Sequence, residues 1–345
     1  MAENGPAPVT LMDVANEAGV SLATASRAFN GSTRNVREAL RQKVFDAALK
    51  LNYSANAPAQ AMARGRTNVV GLVVHDIADP YFSSIAAGVM RSAEEHHLMV
   101  TLGSTLRRPE RELEYFSALR GQRSRAVILA GSRVKDFQHF DALRDQIQAF
   151  EQSGGRVVMI SQHKLAVDTV VLENRAGAKA LATALSGLGY RRFAVLAGPR
   201  DLLTARDRLA GFKDGLVRAG RPAPLVIEGD FTRDGGYRAM TELLPTARNL
   251  DAVFAVNDVM AVGAMAACRD HGLTLPQDLA LAGFDDIATL RDVTPALTTV
   301  RLPLEAIGSA AVDLILTADG QPPRQKRIKG EVILRASTPR RRRGR

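Results

Sequence analysis

Short apolar segments rich in β-branched residues alternate with helical stretches from residue 68 to about residue 295. These segments read NVVGLVV, LMVTLGS, RAVILAG, RVVMIS, FAVLAG, PLVIEG, DAVFAVND and LALAGFDD. Continuous apolar strands that alternate with helices are typical of parallel sheets covered on both faces. The segments fall into two sets, which predicts an α/β core of two doubly wound parallel-sheet lobes. In such folds ligands bind at the carboxyl ends of the strands, here in the cleft between the lobes.

The first fifty or so residues have a different pattern, which predicts a small all-α unit of three helices. Thr10 and Asp13 form a capping box at the start of the first helix, and Gly19 supplies the turn that ends it. Ser21 caps a second helix, which ends at the segment NGST. A third helix is expected over residues 36–51. A unit of this size needs help from neighbours or a partner to be robust.

The net charge of +10 is concentrated at the end of the chain. Residues 1–67 contain 8 basic and 5 acidic residues, whereas residues 324–345 contain 10 basic residues and one acidic residue, Glu331. The charge alone is therefore weak evidence for a nucleic-acid partner. The terminal PRRRRGR, residues 339–345, is predicted to be a disordered basic tail, with auxiliary non-specific DNA contact as an additional role.

Several classes of protein are disfavoured by what the sequence contains. No apolar run approaches the roughly 20 residues that span a bilayer, and the start lacks a secretory signal, so we expect a cytoplasmic protein without a membrane partner. A single cysteine, Cys268, excludes an internal disulfide. His96 and His97 diverge on a helix and cannot share a metal easily. We predict no enzyme, no catalytic residue, no metal and no cofactor, since Walker and dinucleotide patterns do not occur.

Motifs along nearly the whole chain point to one family. The segment TLMDVANEAGVSLATASRAFN at 10–30 is followed by LNY at 51–53, GRTNVVGLVV at 65–74, DPYF at 79–82, LAGP at 196–199, RLAGF at 208–212, VNDVMAVGAM at 256–265, LAGFDD at 281–286 and PALTTV at 295–300. With these motifs the chain resembles the lac repressor and galactose repressor family of bacterial transcription regulators. The resemblance implies an N-terminal all-α helix-turn-helix headpiece plus an α/β periplasmic-binding-protein-like core.

The resemblance also implies where the domains of the chain begin and end. The expected divisions are a DNA-binding domain at 1–52, a hinge at 53–67, and an effector-binding and dimerisation domain at 68–338, followed by the tail. Within the core, lobe 1 is expected at about 68–165 plus a return segment near 303–320, and lobe 2 at about 166–295 plus 324–338.

DNA-binding residues follow from the geometry of a helix-turn-helix, whose second helix lies in the major groove. By resemblance Leu22, Ala23 and Arg27 occupy the sequence-reading positions, and the Arg27 fork suits the O6 and N7 atoms of guanine. Leu22 offers only apolar contact, and simple packing is its alternative role. Five polar residues suit phosphate contacts: Thr10, Ser21, Thr24, Ser26 and Asn30. Met62 in the hinge is expected to insert into the minor groove, with an ordinary linker role as the alternative.

Effector-binding residues are carried over by the same resemblance to the ends of strands. They are Tyr81, Phe82, Ser161, Thr204, Arg208, Phe231, Asn257 and Asp285. Aromatic faces beside a carboxylate, an amide and an arginine suit a hydroxyl-rich small molecule such as a sugar. Ser161 stands where many sugar-sensing relatives have aspartate, which leaves sugar acids, nucleosides and phosphorylated ligands open. Each residue also has a structural alternative, for example helix capping by Asn257 and Asp285.

The sequence thus predicts a transcriptional regulator, a repressor, that binds a pseudo-palindromic operator in double-stranded DNA as a homodimer. A tetramer is left open. A small metabolite, a sugar or sugar derivative, is expected in the cleft between the lobes and shifts DNA affinity by linkage. The alternatives are a two-lobed solute-binding protein and a regulator controlled by a partner protein.

Overall fold

The computed structural model describes residues 9–30, 36–53, 67–108, 110–134, 140–317 and 322–341. The chain divides into two compact units, Met1–Thr67 and Asn68–Arg345. This division coincides with the predicted end of the hinge. Most of the hinge, including Met62, lies outside the described residues, so its predicted role stays a prediction.

The first unit contains three short helices, α1 (Leu11–Glu17), α2 (Leu22–Asn30) and α3 (Glu38–Lys50). Thr10 and Asp13 form the predicted capping box at the start of α1, and Gly19 adopts a φ of 65° in the turn before α2. A left-handed residue at this point needs glycine because a Cβ atom would be strained there. Val14, Ala25 and Val44, one from each helix, are fully buried together. The three-helix prediction is confirmed.

The second unit alternates strands and helices. Its strands are β1 (Val69–Val74), β2 (Met99–Ser104), β3 (Ala126–Ala130), β4 (Arg156–Ile160), β5 (Asp168–Leu172), β6 (Phe193–Ala197), β7 (Leu225–Glu228), β8 (Ala252–Ala255), β9 (Ala280–Ala282), β10 (Thr299–Arg301), β11 (Gln325–Ile328) and β12 (Glu331–Ile333). Its α-helices are α4 (Pro80–Glu95), α5 (Glu110–Gly121), α6 (Phe140–Gln152), α7 (Asn174–Gly187), α8 (Leu203–Arg218), α9 (Arg233–Leu243), α10 (Asp258–Asp270) and α11 (Leu304–Leu316), with 3-10 turns at Leu244–Asn249 and Ala288–Arg291.

Two parallel sheets define the two lobes of this unit. Among the described residues the first sheet has the strand order β11-β5-β4-β3-β1-β2, and the second has the order β7-β6-β8-β9. The strands β3 and β6 are buried at every position, as expected for strands covered by helices on both faces. An antiparallel pair, β10 and β12, lies outside the two sheets. The predicted fold class is confirmed.

The division of the chain between the lobes differs from the prediction in two places. The sequence predicts β5 in lobe 2, which is expected from about residue 166 onward, and it predicts 324–338 there as well. Instead, β5 pairs in parallel with β4 and β11, so both β5 and β11 belong to the first sheet. The later part of 324–338 contacts the second lobe, where the Ser337 carbonyl accepts from the Leu281 amide of β9. An ion pair of 2.6 Å between Arg324 and Asp168 fixes the start of β11 beside β5. α11, which lies within the lobe 1 return segment expected near 303–320, packs against α4 of the first lobe.

The disordered tail was predicted to begin at residue 339, but residues 339–341 are ordered against the second lobe. The Tyr190 hydroxyl donates to the Pro339 carbonyl at 2.8 Å, and the Arg341 amide donates to the Leu188 carbonyl at 2.9 Å. The Arg341 guanidinium also pairs with the largely buried carboxylate of Asp251. Residues 339–341 are therefore held against the second lobe by specific partners, and residues 342–345 lie outside the described residues.

Candidate functional site

The predicted base-reading residues share one exposed face of α2. Leu22 has 42 % of its residue surface exposed, and Ala23 and Arg27 are exposed as well, whereas Ala25 and Ala28 on the opposite face are buried. Packing into the headpiece core therefore does not explain Leu22. An apolar side chain on the solvent side of a short helix is available for contact with another molecule.

The predicted phosphate-contacting residues are engaged in caps at the helix starts. The Thr10 hydroxyl donates to the Asp13 carboxylate at 2.7 Å, and the Ser21 hydroxyl accepts from the Thr24 amide at 3.2 Å. These hydrogen bonds fix the orientation of exposed hydroxyl groups near the amino-terminal ends of α1 and α2. Ser26 lies one turn further along α2 and is partly buried. For Asn30, only its place at the end of α2 is described.

In the second unit, two adjoining cavities lie between the lobes at the carboxyl ends of the strands. The larger cavity, of about 330 Å³, is lined by His75, Thr105, Arg107, Glu112, Ser132, Arg133, Val134, Pro199, Asp201, Leu202, Asp230, Phe231 and Thr232. The smaller cavity, of about 40 Å³, is lined by His75, Asp79, Tyr81, Phe82, Arg107, Ser132, Leu202, Thr204, Arg208, Phe231, Asn257 and Asp285. Seven of the eight predicted effector residues line the smaller cavity.

Ser161 is the predicted effector residue that lines neither cavity. Its hydroxyl donates to the Gly131 carbonyl and contacts the Gln162 side chain at 3.2 Å. Gln162 in turn donates to the Thr204 hydroxyl at 2.8 Å, across the two lobes. Ser161 is therefore positioned behind the cavity wall, where it orients a residue that joins the lobes. Its predicted direct contact with an effector stays a prediction.

A buried ion pair forms the floor of the smaller cavity. Arg208, on α8, holds both carboxylate oxygens of Asp285 at 2.7 and 3.1 Å. Its Nε donates to the Asn174 amide oxygen, its Nη1 donates to the Val256 carbonyl, and its guanidinium stacks 3.9 Å from the centre of the Phe284 ring. Every nitrogen of this guanidinium has a partner, so the pair presents a rigid polar surface to the cavity.

The remaining predicted residues combine structural and surface roles. The Asn257 side chain accepts from the Met260 amide at 2.9 Å and so caps α10. Helix capping is the structural alternative that the sequence indicated for this residue. The Tyr81 and Phe82 rings meet edge to face with centres 4.9 Å apart, and both also line the cavity. Phe231 closes the opposite wall, where it leaves no space for a Cβ atom at Gly198. These side chains give the cavity an apolar platform on two sides.

Burial changes the ionisation of three groups around the cavities. Removal from water raises the pKa of Asp285 to about 6, although Arg208 opposes the shift. Removal from water also raises the pKa of Asp258 to about 8, and the nearby Asp285 carboxylate adds to this effect. Burial lowers the pKa of His75 to about 4, so its ring is neutral at pH 7. A neutral imidazole can donate one hydrogen bond and accept another.

Most residues of the cavity walls were not predicted from the sequence, among them four that follow β1, β2 and β3. His75 follows β1, Arg107 follows β2, and Ser132 and Arg133 follow β3. All of them stand at carboxyl ends of strands in the first sheet, where ligands of parallel sheets bind. Listing every polar residue within a few positions of a strand end would have found them.

The two lobes contact each other beside the cavities. The amide of Leu203, in the second lobe, donates to the Arg133 carbonyl at 2.9 Å, and the Thr204 amide donates to the Ser132 hydroxyl at 3.0 Å. The loop after β3 is thereby joined to the amino-terminal end of α8. Ser132, Arg133 and Thr204 of this junction also line the cavities.

The described residues contain no candidate membrane helix and no candidate metal cluster. Within these ranges, no helix is long and apolar enough to cross a membrane. No cluster of three or more histidine, cysteine, aspartate or glutamate side chains could hold a metal ion in that part of the chain.

Comparison with known proteins links both units to one class. A model described as "Bacterial regulatory proteins, lacI family" matches residues 10–56, and one described as "Periplasmic binding protein-like domain" matches residues 182–338. The chain is 35 % identical over 318 residues to the HTH-type transcriptional regulator GalR of Escherichia coli, covering 91 % of this chain and 90 % of that protein.

Solved structures agree with this similarity. A lac repressor dimer bound to operator and the anti-inducer ONPF superposes with a TM-score of 0.81 at 26 % identity, covering 96 % of this chain and 99 % of that one. A complex of the transcriptional regulator CelR with cellobiose gives a TM-score of 0.69 at 30 % identity, covering 95 % and 99 %.

Proposed function

The chain belongs to the lacI family of bacterial regulatory proteins, and we propose that it is a sequence-specific DNA-binding transcriptional regulator that acts as a repressor. The observation that carries this proposal is the exposed face of α2, where Leu22, Ala23 and Arg27 stand free of the headpiece core. A second helix with base-reading side chains on its solvent face is what the major groove accepts.

The protein acts as a homodimer on a pseudo-palindromic operator in this proposal. The lac repressor structure that this chain resembles is a dimer bound to operator, which supports the same assembly here. A two-fold dimer presents two copies of α2, and two half-sites about one helical turn of DNA apart would satisfy them. The cytoplasm, where the chromosome lies, is the proposed location.

The cavities between the lobes bind a small-molecule effector in this proposal. The CelR complex contains cellobiose, which supports a sugar or a related metabolite as the ligand class. Tyr81, Phe82 and Phe231 supply the apolar platform, while Arg208, Asn257 and Asp285 supply polar groups at one end. Such a lining suits a hydroxyl-rich molecule, since the ligand needs both ring contacts and paired hydrogen bonds. Calorimetry against a panel of metabolites tests this proposal. Binding of a metabolite would support a small-molecule effector, whereas no binding by any of them would favour control by a partner protein.

Operator binding tests the DNA-binding proposal. Fluorescence anisotropy should show tighter binding to a palindromic site beside the protein's own gene than to random DNA at the same salt concentration. We expect Arg27→Ala to reduce this preference by roughly 10- to 100-fold, since a bidentate contact to a base is lost. Arg41→Ala is the matched control, because it removes the same charge from α3 and should weaken both complexes alike.

Met62→Ala extends the test to the hinge and should weaken the specific complex more than the non-specific one. Equal losses on both DNAs for Arg27→Ala would refute the base-reading role. Equal affinity of the unmodified protein for both DNAs, even at low salt, would refute the regulator proposal itself.

A further inference from the structure

The larger cavity contains a buried arginine whose hydrogen-bonding capacity is only partly used. Arg133 follows β3 and has 6 % of its side chain exposed. Its Nη1 donates to the Glu112 carboxylate at 2.6 Å, but its Nε and Nη2 find no hydrogen-bond partner among the described residues. Buried N–H groups without acceptors are rare in folded proteins because they are costly. We propose that these groups bind an anionic group of the effector, a carboxylate or a phosphate.

The identity of the two free nitrogens supports an anion in particular. Nε and Nη2 lie on one edge of the planar guanidinium, and their N–H bonds point the same way. This edge matches the two oxygens of a carboxylate or phosphate, which accept both hydrogen bonds at once. A single sugar hydroxyl accepts from only one of them well. Arg208 is the contrast, because all its nitrogens already have partners in the protein.

A second guanidinium faces the same space. Arg107 follows β2 and lines both cavities; its Nη2 lies 3.2 Å from the Asp79 carboxylate, and its buried Nε has no partner among the described residues. Burial lowers the pKa of His75, and the charges of Arg133 and Arg107 add to this shift, so both arginines lie near that ring. The three side chains thus form a donor-rich wall.

The acidic residues of the cavity do not cancel this preference. Asp79 and Glu112 are each paired with one of the two arginines, and the Asp230 carboxylate pairs with Arg238 on the exposed rim. Asp201, on the exposed rim of the larger cavity, adds one negative charge, whereas the unused hydrogen-bonding capacity of the buried wall residues Arg107 and Arg133 consists of N–H donors. An anion gains these donors without displacing an existing hydrogen bond. The proposal rests on the proposed effector site and specifies which chemical class that site accepts.

Inorganic phosphate is a direct probe of this wall. Calorimetry and thermal unfolding of the full chain would compare phosphate with chloride at equal ionic strength. We expect phosphate to bind the unmodified protein, and Arg133→Gln to weaken that binding by about tenfold or more. Glu112→Gln should strengthen it, since the negative charge beside Arg133 is removed while the guanidinium remains. Arg144→Gln, on the exposed surface of α6, is the matched control and should leave binding unchanged.

A second set of probes distinguishes the two sources of anion. Glucuronate carries a carboxylate and glucose 6-phosphate carries a phosphate, while glucose has the same ring with neither. We expect at least one of the two anionic compounds to bind more tightly than glucose, and that advantage should vanish in Arg133→Gln. If this variant does not fold by circular dichroism, Arg107→Gln and Glu112→Gln provide the same comparison with opposite expected signs.

Four results would overturn the inference: no phosphate binding, equal binding by Arg133→Gln and the unmodified protein, no strengthening in Glu112→Gln, or glucose binding as tightly as both anionic compounds. Persistent phosphate binding in Arg133→Gln would place the ion elsewhere, for instance on the basic tail. Operator affinity of the same samples without effector is measured in parallel. Specific operator binding with failed anion binding would leave the regulator proposal standing and remove only the anion subsite.

Discussion

Removing the Arg208 guanidinium tests how much the buried ion pair with Asp285 contributes to the stability of the protein. The Arg208→Met variant keeps an unbranched apolar stem at this position but deletes the charge that Asp285 faces. Asp285 is buried, has a φ of 122°, and has its two oxygens at 2.7 and 3.1 Å from the guanidinium. The variant would also deprive the Asn174 amide oxygen and the Val256 carbonyl of their donor.

The expected loss is large because a buried charge is left alone. Removing one partner of a buried ion pair costs about 3–5 kcal/mol of unfolding free energy. A typical domain has only about 5–15 kcal/mol in total. Asp285 can relieve the penalty by taking up a proton, and each pH unit above its pKa makes that uptake about 1.4 kcal/mol more costly. The destabilisation should therefore be greater at pH 8 than at pH 5.

Urea unfolding followed by circular dichroism at both pH values measures this effect. The double variant Arg208→Met/Asp285→Asn should be more stable than Arg208→Met at pH 8, since no buried charge remains, and asparagine tolerates a positive φ better than most residues. Arg175→Gln breaks the exposed pair with Asp214 and serves as a control with little expected loss. A loss no larger than that of the control, or one that does not change with pH, would refute the reasoning.

Two further substitutions test other parts of the core. The Asp258→Asn variant should lose part of the pH dependence of the unfolding free energy. In the unmodified protein the raised pKa of Asp258, about 8, contributes stability below the pKa of the unfolded chain, and this contribution is lost as the pH rises from about 4 to about 8. Urea titrations of both proteins across this range measure the effect, and parallel curves of unfolding free energy against pH would contradict it. In Gly88→Ala the added Cβ would lie 2.0 Å from the Glu305 carbonyl oxygen, so thermal unfolding should occur at a clearly lower temperature. Gly187→Ala is the control, because no atom lies within 4 Å of its new Cβ, and its unfolding temperature should not fall.

Local signals made the headpiece predictable. The capping box of Thr10 and Asp13, the turn at Gly19 and the cap at Ser21 each act over a few residues, and the structure contains all of them. The tail was harder, because its composition favours solvation, whereas the partner of Arg341 is Asp251, ninety positions earlier in the chain. Composition carries no information about such a distant carboxylate.

Lobe membership and the cavity wall also depend on distant pairings. β5 joins the first sheet because β4 and β11 lie on either side of it, and a strand pattern does not reveal its neighbours. The positions at strand ends were carried over by resemblance, which supplied Arg208 and Asp285 but not Arg133. A free guanidinium edge becomes visible only when the acceptors around it are known in three dimensions.

The junction between the lobes explains how a ligand can affect the rest of the protein. Arg133 contributes its carbonyl to the bond with the Leu203 amide, and its side chain lines the larger cavity. Thr204 likewise lines the smaller cavity and joins Ser132 and Gln162. A ligand at these side chains interacts directly with the groups that hold the lobes together. Because a ligand shifts an equilibrium only by its difference in affinity for two states, contacts at the junction are where that difference arises.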